Sequence, residues 1–511
     1  MIELRHYQKE LINGIHESWM RGNKHVIMQG CTGMGKTICF SYMSSKAINR
    51  GKKVLLLTHR QELLSQSSSA LYSFGLNPKV IDSSTKKIPE GNMFVCMNAS
   101  LRNRLKKDNW RKWVDTIDLF IADEVHQQDF NWLFDISGIK DKYVIGATAT
   151  PKRIGNQTEL ANQYSEIVFG PDVQEMINMG YLCTDKYFSV PMDLKGIHIK
   201  GGEYDTDEMY SRYNKSELYS GVVDNWKRIC PDTITLCFCV NIQHCINTCK
   251  AFNEAGIQAK FIVSDLSKPK LKSNSKGDLA LFNIKQAEYE NYLANFALFS
   301  GDRKEIIEDW ENGKYKILIN AGIATTGFDF PPIETIIVDR ATTSDNLWLQ
   351  MVGRGSRISN GKKYFNLLDF GNNGERLGYY RQQREYSLNH DHSKSGSGVP
   401  ASKECPKCHA LVFASSIVCK YCGFIFPKSR EQEIVELKEI KYSEAVKKLE
   451  TIKDIELFSK EKGYSKTWAF RQIYIRFGLI GLKEYAFEHN LSPKWPYMME
   501  SRYRGQQKIR K

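Results

Sequence analysis

No apolar run in these 511 residues approaches the length of a membrane-spanning helix. The N-terminus, MIELRHYQKE, lacks the basic start and apolar stretch of a secretion signal, so a cytoplasmic location is expected. Acidic residues are in deficit: Asp and Glu number 58 against 72 Lys and Arg, a formal net charge of +14. That surplus points to a polyanionic partner, with nucleic acid ahead of an acidic membrane surface. Internal repeats are absent beyond two α/β stretches, and the chain carries no nuclease constellation of its own. What is present is a globular mixture, 41% hydrophobic and 25% charged. The length exceeds what one core supports, so two to four domains are expected. Of 13 cysteines, nine lie singly in apolar or helical contexts and read as reduced core thiols. The other four are clustered.

From residue 24 to residue 151, short apolar runs alternate with helical stretches. HVIMQ, KVLLLT, MFVCM, LFIADE and YVIGAT read as buried strands, with helices beginning near Lys36, Gln61 and Ser100. This alternation predicts an α/β fold with a parallel, doubly wound sheet and ligands at the strand C-termini. Two motifs fall at such ends. Residues 30–37 read GCTGMGKT, a glycine-rich turn opening a helix, where backbone N–H groups and the helix dipole attract phosphate. Gly30, Thr32, Gly33 and Gly35 would shape that cradle, Lys36 would reach the β and γ phosphates of ATP, and Thr37 would ligate Mg²⁺. Residues 121–126 read IADEVH. Asp123 would hold Mg²⁺ and Glu124 would orient the attacking water, because phosphoanhydride hydrolysis is catalysed by positioning and electrostatics.

A second α/β unit runs from about residue 233 to 371, with ITLCFC, AKFIVS, KILINA, ETIIVD and YFNLLD as strands. Its QMVGRGSR segment, residues 350–357, sets Arg354 and Arg357 three apart, on one face if the segment is helical. Such guanidiniums can stabilise a γ-phosphate in transit. Residues 265–300 interrupt this unit: a lysine-rich part reads as a flexible loop, and a tyrosine-rich part has helical character. Farther on, Cys405 and Cys408, then Cys419 and Cys422, form two C-x-x-C knuckles with ten residues between them. The spacing fits a closed, structural tetrahedral Zn²⁺ site, with two disulfides or a redox pair as alternatives and His409 as a substitute ligand.

In order along the first 370 or so residues, these motifs resemble those of superfamily 2 helicases. Arg5-His-Tyr-Gln8 is similar to the adenine-recognition element, and Thr58-His-Arg60 to a nucleic-acid-contacting motif. GATATP, with Thr148 and Thr150, resembles the segment that couples hydrolysis to strand movement, and AGIATTGFDFP the motif holding Thr325, Thr326, Gly327 and Asp329. The resemblance implies two tandem RecA-like domains clamping ATP. It assigns Arg5, Gln8, Gly327, Asp329 and Gln350 to the nucleotide, Arg60, Ser100, Thr325 and Thr326 to nucleic acid, and Arg354 and Arg357 to catalysis. DEVH in place of DEAD points away from RNA-clamping proteins. The THRQELLSQ segment, the connector with Gly170, Pro171 and Gly180, and the cysteine module are most similar to RadD-like repair helicases and their phage relatives.

The expected domains are residues 1–168 (RecA-like, ATP-binding), 169–232 (connector), 233–385 (RecA-like), 386–403 (linker), 404–428 (zinc ribbon) and 429–511 (helical, basic). The expected activity is ATP-dependent translocation on duplex, forked or branched DNA in repair, recombination or replication. A single-strand-binding or recombination protein is the expected partner and a membrane is not. An RNA helicase, an ATP-gated clamp or annealing factor, and the motor subunit of a larger nuclease assembly are the alternatives.

Overall fold

The computed structural model describes residues 3–59, 61–126, 128–153, 159–190, 192, 194, 196–200, 202–213, 216–263, 294, 299–322, 329–389, 402–404, 411–413, 438–439, 451–461 and 466–500. The chain divides into two units: residues 1–179 with 381–399 and 442–511, and residues 180–380 with 400–441.

The first unit holds a seven-stranded sheet in the order β3-β4-β2-β5-β6-β1-β7. Its strands are β1 His25–Gln29, β2 Val54–Thr58, β3 Lys79–Ile81, β4 Met93–Met97, β5 Leu119–Asp123, β6 Tyr143–Thr148 and β7 Glu166–Phe169. All pairings are parallel. Every residue of β2 and β5 is buried, which explains why these strands are continuous apolar runs: helices cover both faces of a parallel sheet. The core below β4 and β5 is aromatic, with Phe94 edge-on to Trp113 at 5.0 Å and Trp113 edge-on to Trp110 at 5.5 Å. Each such side chain contributes roughly 1.5–3 kcal/mol by burial. Register sets the function. Gln29 of β1 lies opposite Thr148 of β6, and Ala147 of β6 lies opposite Asp123 of β5. Three strand ends therefore finish level.

The second unit repeats the plan. Its sheet runs β12-β13-β11-β14-β15-β8 and ends on the short strand Lys438–Glu439. The elements are β8 Thr184–Ser189, the hairpin β9 Ile199–Lys200 with β10 Glu203–Tyr204, β11 Thr235–Cys239, β12 Ala259–Val263, β13 Ile317–Ala321, β14 Thr335–Asp339 and β15 Tyr364–Asp369. Here the structure departs from the expected organisation. The stretch 169–232 is more than a connector, because its β8 pairs in parallel with β15 along six residues. The region from 429 onward is likewise not wholly helical, since Lys438–Glu439 pairs antiparallel with β8. The helices Ile452–Glu461 and Lys466–Glu488 follow, the latter broken at Gly478 (φ 61°).

Strands Ser402–Glu404 and Leu411–Phe413 pair antiparallel. Cys405, Cys408, Cys419 and Cys422, like His409 and most of the 265–300 insertion, lie outside the described residues. The nine single cysteines are all free and buried, as their apolar contexts predict. Among the described residues no helix is long and apolar enough to cross a membrane.

Candidate nucleotide site

The loop after β1 is built for an anion. Gly33 and Gly35 adopt φ of 88° and 87°, a region L side chains avoid. Helix Lys36–Ile48 starts directly behind them. Gly35 is doubly constrained, since a Cβ there would stand 2.7 Å from the Gln8 amide nitrogen. Gln8 needs that space: its Nε2 donates to the Met34 carbonyl at 3.2 Å, and its Oε1 accepts from the Arg5 backbone N–H at 3.0 Å. Tyr7, which the sequence reading passed over, donates to the same Met34 carbonyl at 3.1 Å and accepts from Arg5 Nη1 at 3.1 Å. Arg5, Tyr7 and Gln8 thus fasten the first helix, His6–Met20, to the phosphate loop. Lys36 Nζ donates to the Gly30 carbonyl at 2.9 Å, holding the ammonium at the loop mouth. Left-handed glycines, a helix N-terminus and an inward lysine fit a bound triphosphate.

The carboxylates stand at the end of β5. Asp123 is buried, and burial together with the neighbouring Glu124 charge raises its pKa to about 7, against the pull of Lys36. Burial also pushes Glu124 upward, but the hydrogen bond and charge of His126, then Lys36 and His59, prevail and hold it at about 2. The two behave as one coupled pair with room for a single proton. A divalent cation beside Asp123 would displace that proton, so the pair suits a metal ligand next to a persistently ionised base. Lys36 acts on both carboxylates, which brings the two sequence motifs into one site.

His126 ties this site to β6. Its Nδ1 lies 3.2 Å from Glu124 Oε2 and 2.9 Å from Thr148 Oγ1, and Thr148 Oγ1 in turn accepts from the Thr150 backbone N–H at 3.1 Å. Gln29 Nε2 donates to the Ala149 carbonyl at 3.0 Å, linking the same segment to the base of the phosphate loop. Of the expected nucleic-acid contacts in this unit, Ser100 sits in the helix Asn98–Arg104 and Arg60 lies outside the described residues.

In the second unit the arginine segment is arranged differently from the expectation of a helical face. The helix Asp345–Val352, which carries the buried Gln350, is capped by Gly353; Arg354 follows in the turn beyond, and Arg357 lies past it in an antiparallel bridge with Leu182. The reason is packing: a Cβ on Gly355 would meet Phe365 at 2.5 Å and Ile336 at 2.7 Å, so the chain presses its bare backbone onto β14 and β15. The Cys183 N–H bonds to the Ser356 carbonyl at 2.6 Å, and Lys362 Nζ to the Arg357 carbonyl at 2.9 Å, fixing the turn. Arg354 is 6% exposed, and Arg357 forms an ion pair with Asp329. A residue assigned to the nucleotide and one assigned to catalysis, from separate motifs, therefore meet. Thr325, Thr326 and Gly327 lie outside the described residues.

One cluster, Cys239, His244 and Asp339, has the composition of a metal site. Its hydrogen bonds argue for a structural pin. The Val240 N–H donates to His244 Nδ1 at 3.2 Å, so the ring proton sits on Nε2, facing Asp339 at 3.1 Å. A metal at Nε2 would have to expel that proton with no place for it on Nδ1.

Fold and site together define a protein with two RecA-like sheets and a P-loop nucleotide site. Residues 1–153 match the family model "Type III restriction enzyme, res subunit", and residues 231–359 match "Helicase conserved C-terminal domain". The chain is 28% identical over 389 residues to "Putative ATP-dependent helicase IRC3" of Saccharomyces cerevisiae, covering 72% of this chain and 51% of the yeast protein. The chain thus spans about half the length of that relative. Among solved structures it resembles a fragment of an HsdR subunit assigned to a type I restriction enzyme from Vibrio vulnificus YJ016, at TM-score 0.53 and 19% identity, covering 73% of this chain and 67% of that one. It also resembles the ATP-dependent Type ISP restriction-modification enzyme LlaBIII bound to DNA, at TM-score 0.50 and 16% identity, covering 72% and 27%. The two matched stretches give the chain the two motor domains of a superfamily 2 helicase.

Replacing Gly35 with Ala is expected to weaken nucleotide binding at least ~10-fold, because the Cβ displaces Gln8 and forces a strained φ. Titration with a fluorescent ATP analogue checks this, and unchanged affinity would contradict the clamp.

Proposed function

We propose that the chain uses ATP hydrolysis to translocate on DNA, acting on duplex, forked or branched substrates in repair, recombination or replication. One observation carries the reading: the sheet register brings the phosphate loop, with Lys36 at its mouth, level with the Asp123–Glu124 pair at the end of β5, and the pair is tied through His126 to the Thr148 segment. Bound ATP with Mg²⁺ would supply the phosphoanhydride and its counter-charge. Gly30, Thr32, Gly33, Gly35 and Lys36 would hold the phosphates, with Thr37 and Asp123 as Mg²⁺ ligands. Glu124, ionised across the physiological range, would accept the proton of the attacking water. The hydrogen bonds from His126 through Thr148 to Thr150 give a change at Glu124 a direct route into the segment after β6. Arg357, with Asp329 as its resting counter-ion, would supply positive charge to the transition state.

The +14 charge favours a nucleic-acid partner, and DNA is favoured over RNA by DEVH in place of DEAD and by likeness to restriction-enzyme motors, one of them bound to DNA. A single-strand-binding or recombination protein is the partner class suggested by the RadD-like resemblance, and the cytoplasm the expected compartment. ATPase rates measured in parallel with duplex, forked, four-way and single-stranded DNA and with RNA test the reading. Duplex-containing DNA should stimulate most, with affinity falling steeply as salt rises. Equal stimulation by RNA would reassign the substrate, and activity retained in Lys36→Ala would reject the site.

The four clustered cysteines would hold one structural Zn²⁺, closing the site without an open position for water. Metal analysis of the purified chain should give one zinc per molecule, lost in Cys405→Ser. Full zinc content in that variant would exclude this ligand set.

A further inference from the structure

Glu124 is the one acidic residue among the described residues with a left-handed backbone near the nucleotide site, at φ 60°. Asp232 shares the conformation but lies in the other unit. For a residue with a Cβ this conformation is unfavourable, so it persists only where the surroundings enforce it. The enforcement comes through the next residue. Val125 is fully buried, its N–H donates to the Ala147 carbonyl at 3.2 Å, and its carbonyl accepts from Arg153 Nη2 at 3.0 Å. The peptide before Val125 and the peptide after it are thereby both fixed to one continuous stretch, the end of β6 and the segment beyond it.

Arg153 is an unusual choice for a mere packing residue. It is 4% exposed, and burying a guanidinium is costly unless its donors are used. Burial lowers its pKa, with the Tyr164 oxygen acting in the opposite sense. Burial also raises Tyr164 far enough that its phenol stays neutral. Gly146 makes the arrangement possible, because a Cβ there would stand 2.8 Å from both the Tyr164 hydroxyl and Val125 Cγ2.

We propose that Arg153 is a positioning residue for ATP hydrolysis: by holding the Val125 carbonyl it keeps the Glu124 backbone left-handed and so aims the Glu124 carboxylate. The inference rests on the reading of Glu124 as the residue that activates water. Without the guanidinium, the peptide after Val125 is released, Val125 shifts, the Glu124 backbone upstream of it relaxes and the carboxylate leaves its aim, while Lys36, Thr37 and the phosphate loop stay as they are. Misplacement of a catalytic group by about 1 Å can cost on the order of 100-fold in rate.

The test uses the full chain with Arg153→Met, Glu124→Gln and the double variant. Arg153→Met should lower kcat roughly 10- to 100-fold with KM and ATP-analogue affinity unchanged within about twofold, and should add nothing in the Glu124→Gln background. In the nucleotide-free protein, amide exchange at Val125 should accelerate at least ~10-fold, since its N–H···O bond is released with the turn. Arg153→Lys, which keeps one donor, should recover part of kcat. If Arg153→Met melts well below the wild type, Arg153→Lys decides: partial loss of kcat at full nucleotide affinity supports the proposal. Wild-type kcat in Arg153→Met, parallel losses of kcat and nucleotide affinity in both Arg153 variants, unchanged exchange at Val125, or additive losses in the double variant would overturn it. Wild-type hydrolysis in Glu124→Gln would instead remove the reading on which the inference rests, whatever Arg153→Met shows.

Discussion

The first unit depends on one short turn, where the chain leaves β5 carrying the buried Asp123 and, beside it, the partly buried Glu124. Two like charges side by side in a poorly solvated site cannot both persist unaided. The protein resolves this by asymmetry. Asp123 has the Lys36 charge and one hydrogen bond from the Glu124 N–H at 3.1 Å, but burial and its neighbour's charge prevail and raise its pKa. Glu124 has a histidine at 3.2 Å and stays ionised. A shared property of the sequence, Asp followed by Glu, thus becomes two different chemical roles through what surrounds each residue.

That asymmetry is maintained by the register of a parallel sheet. Because Gln29, Asp123 and the end of β6 finish level, the phosphate loop, the carboxylates and the Thr148 segment share one edge, and the hydrogen bonds among them are short-range. The first helix joins the same edge through Tyr7, Gln8 and the Met34 carbonyl. Gln8, expected to read the nucleotide base, spends both ends of its amide on the protein in this state. Its proposed contact with a base would add to that clamp or require its exchange.

Much of this was legible in the sequence, for identifiable reasons. The central strands of both sheets are mostly apolar because helices cover both faces, so runs such as VLLLT and TIIVD could not be mistaken for surface structure. The phosphate loop and the carboxylate pair declare themselves by residue type at strand ends. β8 was hidden because TDKYFS lies near the sheet edge and opens with three polar residues, so its alternating burial has no matching alternation of residue type. The arginine segment misled because its spacing suits a helix, whereas Gly353 ends the helix and Gly355 replaces a turn of it with backbone packed on Phe365. Arg153 and Tyr7 escaped notice since their partners are main-chain carbonyls, which no residue pattern announces.

The most direct measurement is a structure of the chain with Mg²⁺ and a non-hydrolysable ATP analogue. The account predicts the metal about 2.0–2.1 Å from Thr37 Oγ1, with Asp123 bound directly or through one water. A Glu124 carboxylate oxygen should lie within hydrogen-bond reach, about 2.6–3.2 Å, of a water in line with the γ-phosphate. A nucleotide seated in the loop with Glu124 turned away from any such water, and its φ relaxed to an ordinary value, would contradict it.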